Sequence, residues 1–302
     1  MPRILVSGLI NIETTLKVEG FPLTYAPVRY PFFGVNSSVS GVGFNVSKAL
    51  KTLGHDVRFL SLIGQDLAGA MVRATLAQEG ISADLILSAL PTTAQSVILS
   101  DPSGRRQIHV DLKNIQEQVY PEESFDAALA GCDAAVLCNI NFSRPFLRRA
   151  RAAGCLVATD VHTVSRLDDD YNQDFMAAAD VLFMSDELLP MPPEAWAADI
   201  MARYAPQVLV IGLGAQGALL AVKRDRFVGR LPAASVRPVV STIGAGDALF
   251  SAFVHGFVRT GDPYHALRQA IVFAAYKIGV TSAADGFLDQ TALDRLCQDA
   301  LD

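Results

Sequence analysis

The chain has 302 residues, enough for one large α/β domain or two smaller ones. It is 51% apolar and 19% charged, which excludes a disordered chain, and its formal net charge of −6 argues against a nucleic-acid-binding surface. Its four cysteines form no C-x-x-C pair, and "RILVSG" is too short for a secretory signal core, so a cytoplasmic protein with reduced thiols and no membrane partner is expected.

In chain order, "RILVSG" reads as a buried strand and runs into "GLINIE" (Gly8 to Glu13). There a strand is expected to end in Asn11 and Glu13, polar groups where parallel sheets bind ligands. Residues from about 13 to 40 are strand-like and turn-like without a helical period. "VSGVGFNVSKALKTLG" (Val39 to Gly54) places Gly41 and Gly43 before a helix, with Asn45 at its start. Such glycines let a ligand lie against the backbone, and an Asn amide suits a polyol; taken alone, an ordinary capped helix explains them better. "VRFLSLIG" is another strand, and "AGAMVRATLAQEG" another helix closed by a glycine. "SVILSDPSGRRQIHVD" (Ser96 to Asp111) is two β-runs joined by a turn signal, a hairpin.

"AAVLCN", "CLVATD", "DVLFMS" and "QVLVIG" continue the apolar strands. Their alternation with helices predicts a parallel sheet covered on both faces, in one domain with a small β-appendage and no internal repeat.

"GLGAQG" (Gly212 to Gly217) has the G-x-G-x-x-G spacing of a dinucleotide-binding turn. After Gly217, however, the chain reads "ALLAVKRDRFVGRLP", two β-runs about a charged turn. The helix and the acidic residue some 20 positions on that a dinucleotide site needs are both missing, which leaves a dehydrogenase a distant third reading. The sharpest motif is "STIGAGDALFSAFVHGFVRTG" (Ser241 to Gly261), where Gly244, Ala245 and Gly246 precede a helix with Asp247 in its first turn. Small residues at a helix N-terminus let amides approach an anion, and a carboxylate beside a bound phosphate can accept a proton from an attacking hydroxyl. A glycine-rich turn with Asp247 as an ordinary cap is the competing explanation.

Taken together and in this order, "GLINIE", "SGVGFN" and "STIGAGD" resemble the motifs of the ribokinase-like (PfkB) carbohydrate kinase family over nearly the whole chain. The resemblance implies a mostly parallel central sheet with helices on both faces, and one kinase domain over residues 1–302 with a β-lid built from about 13–40 and 94–112. It implies ATP and Mg2+, and a sugar or nucleoside phosphorylated on a primary hydroxyl. It assigns Asp247 as general base, the amides of Gly244, Ala245 and Gly246 as anion hole, and Asn11, Glu13, Gly41, Val42 and Asn45 as acceptor pocket. Ser185, Gly212, Gly214, Gly217 and Thr242 fall to ATP, with Glu187 the candidate magnesium contact.

Several positions depart from the pattern. Glu13 replaces Asp, and Val42 replaces the Lys frequent in ribokinases, which edges the acceptor away from ribose. Ser185 and Leu188 replace the Asn and Glu of an N-x-x-E motif, and Gly212 a frequent Thr. Ser241 replaces an Asp tied to a monovalent cation, which predicts little dependence on K+. The alternative reading is a non-catalytic sugar- or nucleoside-binding relative with an impaired ATP site. Exposed lid edges also make a homodimer an expectation.

Overall fold

The computed structural model describes residues 1–299. Two sheets organise them. The larger has nine strands in the order β13-β12-β11-β10-β9-β8-β1-β4-β5. Its centre comprises β1 (Arg3–Ser7), β8 (Ala134–Leu137), β9 (Leu156–Thr163), β10 (Val181–Ser185) and β11 (Val208–Gly212), with β4 (Asp56–Gly64) and β5 (Ile86–Leu90) beyond β1. All these neighbours pair in parallel. The short apolar runs become these strands because helices bury both faces, leaving no reason for polar alternation. Only β12 (Ala218–Val222) and β13 (Phe227–Leu231) run antiparallel, as the "KRDR" turn between them dictates.

One core lies between this sheet and α1 (Val42–Thr52), α2 (Leu67–Gln78), α7 (Ala245–Thr260), α8 (Pro263–Lys277) and α9 (Gln290–Asp299). The other includes α3 (Glu122–Leu129), α4 (Phe146–Ala152), α5 (Gln173–Ala178) and α6 (Pro193–Arg203). No helix among the described residues is long and apolar enough to cross a membrane.

The smaller sheet has the order β3-β2-β6-β7, from β2 (Asn11–Lys17), β3 (Val35–Ser40), β6 (Gln95–Ser100) and β7 (Arg106–Asp111). The expected hairpin is β6–β7, with Ser96 opposite Val110 and Ser100 opposite Arg106. Two local expectations are corrected. "GLINIE" is not the end of a parallel strand: β1 stops at Ser7, and Asn11 opens β2 of the second sheet. Gly43 lies inside α1 rather than before it. A Cβ on Gly43 would stand 2.5 Å from the carbonyl carbon of Gly8, so this glycine serves helix-to-strand contact, which spacing alone does not reveal.

Candidate active site

The site lies where the carboxyl ends of the parallel strands meet the small sheet. Helix α7 supplies its centre. Phe250 and Phe253 on its buried face pack against Phe183 of β10 at ring separations of 5.0 and 5.2 Å, anchoring the helix to the large sheet. Asp247 is thereby presented in the first turn. The loop before it is mounted on the end of α8: the N–H groups of Val240 and Ser241 both donate to the Ile278 carbonyl, at 2.8 and 3.0 Å. Gly244 adopts φ +77°, and a Cβ there would meet the Ala283 carbonyl oxygen at 2.6 Å, so only glycine makes this turn without strain. Gly246 faces open space.

The N–H of Ala245 donates to the Thr242 carbonyl at 3.2 Å. That amide is committed within the chain, in contrast to the expected anion hole of 244, 245 and 246. Among the described residues, Gly244, Gly246 and Asp247 retain N–H groups without a backbone partner, as the first turn of a helix must.

Asp247 is joined to the small sheet by a chain of hydrogen bonds. Asn45 Nδ2 donates to Asp247 Oδ2 at 2.7 Å. The same amide donates to Ser40 Oγ at 3.4 Å, and Ser40 Oγ donates to Glu13 Oε2 at 3.0 Å. Asn11 Nδ2 donates to Ser96 Oγ at 3.1 Å. Asn45 reaches across because Gly41, the residue capping α1, has a φ of +102° that turns β3 into the helix. A Cβ on Gly41 would stand 2.7 Å from the Leu9 carbonyl oxygen. Val42 is the next residue, half-buried at the rim. Asn45 touches Asp247 directly and Glu13 reaches it through Ser40, while Asn11 lies two residues from Glu13 on β2, and Gly41 and Val42 stand at the entry to α1.

Two oxygens here are conspicuous: Asn11 Oδ1 and Glu13 Oε1 are buried and have no hydrogen-bond partner. An unpaired buried acceptor is destabilising by about 1–3 kcal/mol, and such groups mark places where a donor from outside the chain belongs. Burial pushes the Glu13 carboxyl above its ordinary range, with the Ser40 hydrogen bond working against the shift and Asp247 adding to it. Asp247 is raised too, chiefly by burial. The Asn45 hydrogen bond, His162 and Lys277 oppose that rise, and Asp160 reinforces it.

Ser185 and Gly212 are paired neighbours at the carboxyl ends of β10 and β11. Gly214 has φ +56° and open space around it, whereas a Cβ on Gly217 would stand 2.1 Å from the Leu231 carbonyl oxygen. The third glycine of the false fingerprint is thus required by the β12–β13 edge. Thr242 and Glu187 are bridged by Arg106 of β7, whose Nη1 donates to Thr242 Oγ1 at 3.0 Å and Nη2 to Glu187 Oε1 at 3.2 Å. Ile98 of β6 packs with Ile243 and Ala283 beside this bridge.

Arg106 and Lys277 escaped the sequence reading. Arg106 sits on the hairpin at alternating spacing with Ile108 and Val110, a face assignment that needs the partner strand to be known. Lys277 carried a legible signal. It continues the stripe Ala266, Ala270 and Phe273 at helical spacing, so a lysine occupies a core position.

Among the described residues no three His, Cys, Asp or Glu side chains form a metal cluster. Asp160 within β9 acts electrostatically on Asp247, and Glu187, two residues beyond β10, pairs with Arg106. This suits a magnesium ion that arrives on a nucleotide's phosphates, which needs one or two protein carboxylates rather than a cage.

Comparison with known proteins agrees with this geometry. The family model described as pfkB family carbohydrate kinase matches residues 1–290. The acarbose 7(IV)-phosphotransferase of an Actinoplanes strain is 28% identical over 298 residues, 97% of each chain. The ATP-dependent ribose-1-phosphate kinase of Halopiger xanaduensis is 27% identical over 92% of this chain and 93% of its own. Among solved structures, a microbiome-derived acarbose kinase superposes with a TM-score of 0.87 at 26% identity, covering 98% of this chain and 99% of its own. The Arabidopsis thaliana ribokinase complexed with ribose and ATP, at 18% identity, shares the fold with a TM-score of 0.79 over 98% of this chain and 99% of its own.

Proposed function

Because the chain belongs to the pfkB family of carbohydrate kinases, we propose that it transfers the γ-phosphoryl group of ATP to a primary hydroxyl of a sugar, free or within a larger glycoside. The observation that carries the acceptor half is the pair of buried, unpartnered oxygens on Asn11 and Glu13. Both are acceptors on β2, and Glu13 is linked to Asp247 through Ser40 and Asn45. They are matched by adjacent hydroxyl donors, which a polyol supplies and an apolar ligand does not.

In this reading Asn11 and Glu13 hold the ring hydroxyls, and Asp247 accepts the proton of the hydroxyl that attacks. The new oxygen–phosphorus bond forms as the bond from the γ-phosphorus to the bridging oxygen breaks and ADP leaves. Amides of Gly244, Gly246 and Asp247 meet the oxygens of the phosphoryl group in flight, reinforced by the helix dipole. Ser185, Gly212, Gly214 and Thr242 line the nucleotide's course, and Arg106 is within reach of its phosphates once the small sheet is down as a lid. Mg2+, held by the phosphates and by Asp160 or Glu187, would neutralise charge on the β- and γ-oxygens. A nucleoside also presents ribose hydroxyls to the same two oxygens and is the competing acceptor class.

The test is an ADP-release screen with Mg-ATP over monosaccharides, oligosaccharides and nucleosides. Release with a sugar or glycoside supports the reading, and turnover confined to nucleosides moves the acceptor to the second class. Absence of ADP release with every acceptor, in a protein that binds a nucleotide analogue, would refute the polyol assignment.

A further inference from the structure

We propose that the ammonium group of Lys277 is a built-in cation of the phosphoryl-transfer site, which mounts the loop before α7 and keeps Asp247 ionised in place of a dissolved monovalent cation. The proposal rests on the reading of Asp247 as the base.

Lys277 is the last residue of α8 and is fully buried, 0% exposed. A lysine at a helix end ordinarily sends its charge to solvent or to a carboxylate. Lys48, inside α1, pairs with Glu79 and Asp285 at 2.9 and 3.0 Å. Lys277 does neither. Its Nζ donates to the Ile243 carbonyl, and among the described residues no carboxylate stands within ion-pair distance of it. An unpaired buried ammonium is costly to folding and persists where its charge has a use.

Its use follows from what surrounds it. Ile243 directly precedes Gly244. With the two bonds to the Ile278 carbonyl, the Lys277 tether makes the end of α8 a three-point mount for the loop whose amides face the phosphate. Ser241 brings no charge to that mount, since its hydroxyl accepts the N–H of Ile243 at 3.3 Å. The charges that act on Lys277 come from Asp247 on α7, Glu13 on β2, Asp285 after α8 and Arg237 before α7. The first three hold the proton on, whereas Arg237 and, above all, burial drive it off, bringing the group down to about 8. Asp247 faces Asn45 on α1, His162 and Asp160 of β9, and Lys277. Three carboxylates, none of them in direct ion-pair contact, and in this reading an incoming polyphosphate thus act on one buried ammonium.

The signs are testable. Protonated Asp247 cannot take a proton, so kcat/KM rises with pH through its raised value. Deprotonated Lys277 loses its charge, so kcat/KM falls as pH rises through about 8. In the unmodified enzyme, replacing K+ by tetramethylammonium at constant ionic strength is expected to change kcat/KM by less than about twofold, since the counter-charge is already built in. Lys277→Met is expected to lower kcat by roughly 10²-fold and to move the acidic limb to higher pH, with the alkaline limb abolished. Methylammonium is expected to restore part of the activity of Lys277→Ala.

A several-fold stimulation of the unmodified enzyme by K+ would overturn the proposal. So would a folded Lys277→Met enzyme with unchanged turnover and an unmoved acidic limb. If both variants fail to fold, the cation exchange and the alkaline limb of the unmodified enzyme decide. Calorimetric binding of a non-hydrolysable ATP analogue separates this inference from the acceptor assignment. Affinity lost in Lys277→Met with every acceptor inactive faults the acceptor and upholds the lysine; affinity retained with every acceptor inactive overturns the lysine's role.

Discussion

Helix α7 buries polar side chains near both of its ends, and the two ends behave oppositely. At the first turn Asp247 takes one hydrogen bond, from Asn45, in a neighbourhood that leaves Asn11 Oδ1 and Glu13 Oε1 unpaired. Two turns on, His255 Nδ1 and His55 Nε2 lie 2.8 Å apart, and His255 Nε2 meets Arg259 Nη1 at 3.2 Å. Burial lowers both imidazoles, His255 to about 4, so both are neutral at pH 7 and satisfied within the chain. The same helix therefore carries one polar cluster satisfied within the chain and one beside acceptors left unpaired. Reactivity resides where hydrogen-bonding capacity exceeds what the chain itself consumes.

Substitutions at the first-turn end should change turnover and leave stability nearly alone. The largest effect is expected of Asp247→Asn, which keeps the shape and a hydrogen bond to Asn45 but cannot accept the substrate proton. Its kcat should fall by at least ~10²-fold while the thermal midpoint stays within a few degrees. Wild-type turnover in this variant would remove Asp247 from the role of base.

Glu13→Gln should come next. A charge-assisted hydrogen bond to a hydroxyl contributes about 1.5–3 kcal/mol, so kcat/KM for the acceptor should drop by roughly 10- to 100-fold while KM for ATP holds. Equal losses in both KM values would place Glu13 in a structural role instead.

Arg106→Met tests whether the small sheet couples acceptor to nucleotide. Its bridge from β7 to Thr242 and Glu187 is partly exposed, so a moderate loss is expected, with KM for ATP up by about tenfold. Hydrogen exchange of 94–112 in the unmodified enzyme should slow when acceptor and nucleotide are both present. Unchanged protection at saturation would deny the sheet a lid's motion.

The smallest effect belongs to the other end of α7. Replacing His255 by Leu should leave kcat within about twofold and change only how stability responds to acid. A histidine held neutral in the fold but free to charge when unfolded keeps its full contribution above pH about 6.5, and loses it progressively toward about 4. The unmodified protein's thermal midpoint should fall between pH 7 and 5, and the variant's should fall less. A variant with the full acid response would assign that response elsewhere.

The alternation of apolar runs with helices was enough to establish a mostly parallel sheet, because fully buried strands cannot alternate. The β6–β7 hairpin and the helix after "GAGD" were equally legible, since turn residues and helical spacing are local signals. Asp247 and Asn45 were marked by the glycines beside them, and Asn11 and Glu13 as polar residues soon after the first strand, although they lie in a second sheet rather than at a parallel strand's end. That Asn45 joins Asp247 to Glu13 through Ser40 was decided only by tertiary structure, because it links residues 202 positions apart. The same holds for Gly43 against Gly8 and for Gly217 against Leu231, glycines at which a distant backbone leaves no room for a Cβ. Arg106 and Lys277 mark the boundary most clearly. Their residue types were visible in the sequence, but a cation's role depends on which charges face it and how much water is excluded, and the fold alone sets both.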